Sequence, residues 1–91
     1  MKVDKKARAG TLESGDLFVT IEPSEKLEIS LESPVKDQYG DAILQTVREL
    51  LDQWGVESGR ITLADQGALD CTIRARLTTA LRRAGSQGDK S

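Results

Sequence analysis

The spacing of hydrophobic and polar positions alternates along the chain between the period of a strand and that of a helix, and predicts six elements. Leu17, Val19 and Ile21 alternate with Phe18, Thr20 and Glu22, the period of a half-buried strand. Pro23, Ser24 and Glu25 then predict a turn. Leu27, Ile29 and Leu31 alternate with Glu28, Ser30 and Glu32. The short link predicts an antiparallel hairpin between these two strands. From Pro34 to Trp54 the period lengthens. Tyr39, Ile43, Val47, Leu50 and Trp54 recur at steps of three and four, with Ala42 and Leu51 widening the stripe. That spacing predicts an amphipathic helix that packs Tyr39 and Trp54 into the core and stops at Gly55. Gly40 inside it is read as a point of close approach to the sheet. Ile61 and Leu63 predict a third strand, ended by Asp65-Gln66-Gly67. The alternation Leu69, Cys71, Ile73, Ala75, Leu77 predicts a fourth, with a short helix over 78–84.

The resulting order is ββαββα. It implies an α+β two-layer sandwich, a four-stranded antiparallel sheet with two helices on one face. One consistent topology is a circularly permuted ferredoxin-like arrangement, with the first two strands paired at an edge. Residues 1–91 read as a single domain. Met1 to Gly10 is a basic segment, either a flexible arm or a short extra strand, and 86–91 is a flexible tail.

Ser33 precedes Pro34 and the helical pattern, so it is expected at the N-cap with Pro34 at the first helical position. Ser24, Ser58 and Ser86 read as turn or loop residues. Cys71 lies on the apolar face of the expected fourth strand and is read as a small buried hydrophobe. Ser14 stands apart. Gly10, Gly15 and Asp16 favour turns rather than strands, which puts its hydroxyl in an accessible loop at the edge of the first strand.

Composition narrows the chemistry. Of 91 residues, 37% are apolar and only 3% aromatic, so the core must be built from aliphatic side chains. The chain has no histidine and one cysteine. This removes the usual general base, an intramolecular disulfide and any CxxC metal site. The expectation is no catalytic and no metal-binding residues. No run approaches membrane-spanning length and no signal-peptide pattern opens the chain, so a reducing cytoplasm is the expected setting, with no membrane partner. Glu13 and Asp16 flank Ser14 without a third group to complete an acid–base device. Arg74, Arg76, Arg82 and Arg83 are read as a face for docking partner proteins. A small RNA-binding α+β module is the alternative from another class, opposed by the net charge of −2 and by having only Phe18 as an exposed stacking candidate.

The run Ala9-Gly10-Thr11-Leu12-Glu13-Ser14-Gly15-Asp16 resembles the prosthetic-group attachment segment of the citrate lyase acyl carrier proteins, the γ subunits of bacterial citrate lyase. Val19-Thr20-Ile21-Glu22-Pro23, Leu31-Glu32-Ser33, Gly40-Asp41-Ala42-Ile43, Gly67-Ala68-Leu69-Asp70-Cys71 and Ile73-Arg74-Ala75-Arg76 follow in the family's order. The resemblance extends from about Lys2 to Ala84. It implies that Ser14 carries phosphoribosyl-dephospho-coenzyme A through a phosphodiester, and that the thiol of this group holds acetyl and citryl thioesters. It implies a non-catalytic carrier whose partners are an α subunit (acyl transferase), a β subunit (acyl lyase) and a prosthetic-group transferase. The acyl carrier of malonate decarboxylase uses the same group and is the nearest alternative; the lead-in from Ala9 to Glu13 favours citrate lyase. The tail after Ala84 carries no family motif. The Asp-Ser-Leu attachment site of the helical fatty-acid carriers does not occur in this sequence.

Overall fold

The computed structural model describes residues 1–85. Six elements follow one another: β1 (Ala7–Gly10), β2 (Leu17–Glu22), β3 (Leu27–Glu32), α1 (Lys36–Gln53), β4 (Gly59–Asp65) and α2 (Asp70–Ala84). The expected flexible tail at 86–91, with Ser86, lies outside the described residues. An α+β architecture with a four-stranded sheet and two helices is present, but the sheet is mixed rather than antiparallel. Its order is β1-β2-β4-β3. β1 and β4 flank β2 antiparallel, while β3 runs parallel to β4.

Several expectations from the sequence are corrected by the structure. The expected β2–β3 hairpin does not form, because β4 lies between them. Burial explains the order. Leu17, Val19, Ile21, Ile61 and Leu63 have no exposed surface, so β2 and β4 take the centre. In β3 only Leu31 is buried, and Glu28, Ser30 and Glu32 face solvent, a composition suited to an edge. The turn 23–26 carries the chain around the start of β4, where Gly59 N donates to the Lys26 carbonyl at 3.0 Å. A parallel β3–β4 pair then requires a crossover, and α1 supplies it.

The expected fourth strand is the first part of a helix. Over 70–84 the buried residues are Ile73, Leu77, Ala80, Leu81 and Ala84, at steps of four, three, one and three. Cys71 and Ala75, the other members of the alternation, are exposed. Cys71 is therefore a surface thiol, not a core residue. Asp70 in the first turn and Arg82 and Arg83 in the last complement the helix dipole.

α1 buries Gly40, Ile43, Thr46, Val47, Leu50 and Leu51. Tyr39, expected in the core, is 57% exposed, because the buried stripe passes through Gly40 instead; Trp54 is half-buried. The helix closes in a Schellman arrangement, Gly55 N donating to the Asp52 carbonyl and Val56 N to that of Leu51. At its other end Val35, not Ser33, is the capping position. Ser33 closes the turn before the helix, its Oγ accepting from Val35 N at 3.1 Å. Residues before β1 lie against the end of α2: Val3 is buried and bridges Gly85.

This topology gathers several chain segments at one end of the sheet. The β1–β2 loop, the end of β4 and the first turns of α1 and α2 all lie there.

Candidate functional site

The loop 11–16 joins β1 to β2, and its shape follows from two glycines. Gly10 has φ +91°, and a Cβ there would fall on the Leu17 carbonyl oxygen, so only glycine closes the hairpin. Gly15 has φ +83° with nothing within 4 Å of where a Cβ would sit. Its need for glycine is conformational, and the space around it is open.

Asp16 anchors the loop. Its carboxylate accepts from Thr11 Oγ1 at 2.7 Å, from Leu17 N at 2.7 Å, and from Arg76 Nε and Nη2 at 2.8 and 3.0 Å. The paired guanidinium contact is the planar fork geometry that favours arginine. Hydrogen bonding to Arg76, then to Thr11 and to Leu17 N, holds the Asp16 carboxyl far below the usual carboxylate range. The same bond raises Arg76. Backbone bonds complete the clamp: Gly15 N donates to the Gln66 carbonyl at 2.6 Å, and Gln66 N to that of Asp16 at 2.8 Å. The β2–β4 ladder thus continues one step beyond the strands and ties the loop to 65–69.

Within this clamped loop Ser14 is exposed, and its hydroxyl finds no partner among the described residues. Ser33 differs in every respect. It is half-buried, and its Oγ donates to Asp65 Oδ2 at 2.7 Å while accepting from Val35 N. Asp65 is 1% exposed and also accepts from Ala68 N at 2.9 Å. The second Leu-Glu-Ser sequence therefore builds a buried polar joint between β4 and the start of α1. Ser24 is likewise engaged, donating to Glu28 at 3.3 Å.

The four arginines do not form one free basic patch. Arg76 holds Asp16. Arg74 bonds Asp70 and Glu49 at 2.7 and 3.2 Å, and Arg83 donates to the Arg8 carbonyl at 2.8 Å. Arg82 is exposed. Thr46 Oγ1 and Arg74 both donate to Asp70 and lower its pKa. The role of Arg76 escaped the sequence reading. Sixty residues separate it from Asp16, and its direction depends on residues 70–84 being helical. Among the described residues no cluster of His, Cys, Asp or Glu could hold a metal ion, and no helix is long and apolar enough to cross a membrane.

Fold and loop together define a small α+β module that displays the free Ser14 hydroxyl from a hydrogen-bonded turn. The acyl carrier family model described as malonate decarboxylase delta subunit (MdcD) matches residues 4–84. A protein of Treponema denticola named citrate lyase acyl carrier protein is 48% identical over 87 residues, 96% of this chain and all of that one. A Haemophilus influenzae protein of the same name is 45% identical over 92% of this chain and 88% of its own. Citrate lyase acyl carrier protein 2 of Salmonella typhimurium is 48% identical, covering 96% and 92%. Among solved structures, a chain of a Pseudomonas malonate decarboxylase hetero-tetramer in complex with malonate superimposes with TM-score 0.81 at 26% identity, over 91% of this chain and 87% of that one. The chain belongs to the citrate lyase acyl carrier protein family. Its role is that of a carrier subunit, not of a catalyst.

Proposed function

We propose that this carrier serves a citrate lyase complex and that Ser14 Oγ is the attachment point of phosphoribosyl-dephospho-coenzyme A. The observation that carries this reading is the exposed, unpartnered Ser14 hydroxyl on a loop otherwise fixed by Asp16, Arg76 and Gln66. The loop suits such a group. A modifying transferase needs an accessible hydroxyl, and the surroundings of Gly15 are open. When bound, the group supplies a thiol that holds acetyl and citryl as thioesters while an α subunit exchanges them and a β subunit cleaves the citryl form.

The chain's own residues orient this attachment. Arg76 neutralises Asp16, so the negative charge beside Ser14 that remains uncompensated is that of Glu13. The Gly15–Gln66 and Gln66–Asp16 bonds fix where the hydroxyl leaves the surface. A tethered group samples its partners' active sites at high effective concentration when its arm can span them, and the Asp16, Arg76 and Gln66 contacts give that arm a defined root on the sheet. No general base, nucleophile or metal is needed in the carrier itself.

The malonate decarboxylase carrier is the second reading, favoured by the family model's description and by the superimposed hetero-tetramer chain. The higher identity to the citrate lyase carriers favours the first. Reconstitution separates them. Loaded protein mixed with the α and β subunits of citrate lyase should restore citrate cleavage, and Ser14→Ala should not. Malonate decarboxylation without citrate cleavage would reverse the choice.

A further inference from the structure

Four large apolar side chains of the described residues are exposed: Leu12, Leu27, Tyr39 and Leu69. Three of them sit at the Ser14 end of the sheet, Leu12 in the loop itself, Tyr39 in the first turn of α1 and Leu69 at the entry to α2. Tyr39 and Leu69 flank a cleft of about 390 Å³ whose apolar lining includes Val35, Ile43, Ala68 and Ile73. That volume falls in the range of about 300–1,000 Å³ typical of small-molecule sites. The cleft adjoins the attachment loop directly. Gln66, which exchanges hydrogen bonds with Gly15 and Asp16, is followed by Gly67, Ala68 and Leu69. Leu69 therefore lies no more than three Cα steps, about 11 Å, from Gln66.

Resting on the assignment of Ser14, we propose that the pantetheine end of its arm lies in this cleft between α1 and α2 when the carrier is not engaged with a partner, with Tyr39 and Leu69 as the walls. The chemistry matches. Pantetheine presents geminal methyls and methylenes to the apolar lining, while its two amides and its hydroxyl face the open mouth of the cleft and stay hydrated. Two carboxylates line the cleft, Asp65, which accepts from Ser33 and Ala68 N, and Asp70, which accepts from Thr46 and Arg74, so neither is left unpaired against the arm. Tethering makes even weak contact sufficient, because the arm reaches the cleft as an intramolecular ligand. The resting cleft would shelter the thiol, and the thioester it carries, from water.

The test uses loaded protein in a Cys71→Ser background, so that the arm carries the only thiol. Intact mass first verifies the adduct. Carbon–proton correlation spectra should then show the Tyr39 ring and Leu69 methyl resonances displaced relative to the unloaded chain, with through-space contacts to the arm's geminal methyls. Alkylation of the thiol by iodoacetamide should be several-fold slower than that of free coenzyme A. Tyr39→Ser and Leu69→Ser should return it to the free rate without loss of helical circular dichroism. A loaded protein with unshifted Tyr39 and Leu69 signals and a thiol as reactive as free coenzyme A overturns this inference while leaving the Ser14 assignment intact. Absence of an adduct at Ser14 overturns the assignment beneath it.

Discussion

Ser14 and Ser33 share the same local sequence, Leu-Glu-Ser, and their replacement should have opposite consequences. Ser33→Ala removes the donor to Asp65, a carboxylate 1% exposed, and the acceptor for Val35 N. A hydrogen bond to a charged group contributes about 1.5–3 kcal/mol and a neutral one about 0.5–1.5 kcal/mol. The sum is about 2–4.5 kcal/mol, more than the ~1 kcal/mol of a simple helix cap. For a domain of this size each kcal/mol lowers Tm by about 4–8 °C, so a central value of ~3 kcal/mol corresponds to ~12–24 °C. Ser14→Ala removes an exposed hydroxyl with no partner and should change stability by less than about 0.5 kcal/mol. Urea and thermal unfolding of both variants, followed by circular dichroism, measure the difference. Loading by the transferase, read by mass, should be lost in Ser14→Ala and retained in folded Ser33→Ala. A Ser33→Ala variant within ~1 kcal/mol of the parent would refute the account of Asp65 as a buried joint that depends on Ser33.

Three further outcomes are expected. Gly10→Ala forces a side chain onto the Leu17 carbonyl at φ +91°; strain of about 1–2 kcal/mol from the backbone angle and about 1–3 kcal/mol from overpacking should appear as a large fall in the urea midpoint. Asp16 and Asp70 have lowered pKa values in the folded chain, so their contribution is complete above the unfolded carboxylate value, about 4, and is lost as pH falls through the folded values. Asp16→Asn should therefore be less stable than the parent at neutral pH, and the two stability curves should converge in acid, as equilibrium unfolding at a series of pH values will show. Cys71 is exposed, and the folded, unloaded chain should react with one equivalent of Ellman's reagent without denaturant; a thiol that reacts only after unfolding would contradict the helical assignment of 70–84.

Much of the fold was legible because its pattern is local. The alternation of Leu17, Val19 and Ile21 and the helical stripe through Ile43, Val47 and Leu50 each describe one face of one element. Residues 69–77 satisfied two periods at once. Their alternation extends over five apolar positions, but Cys71 and Ala75 are small and demand no burial. Continued to Ala80, Leu81 and Ala84, the helical period accounts for every buried position, and the Ala, Leu and Arg content favours it. Strand order was not legible, since β4 separates β2 from β3 only through long-range pairing. In the candidate site, the glycine-flanked Ser14 loop was visible as turn chemistry. The Asp16–Arg76 clamp and the Ser33–Asp65 joint were not, because each joins residues distant in sequence whose approach the sheet order and the second helix determine.

The most direct measurement is peptide mapping of the carrier after co-expression with its prosthetic-group transferase. The account predicts a single phosphodiester-linked adduct on the peptide containing Ser14, absent from Ser14→Ala. An adduct on another side chain, or an unchanged adduct in the alanine variant, would contradict it.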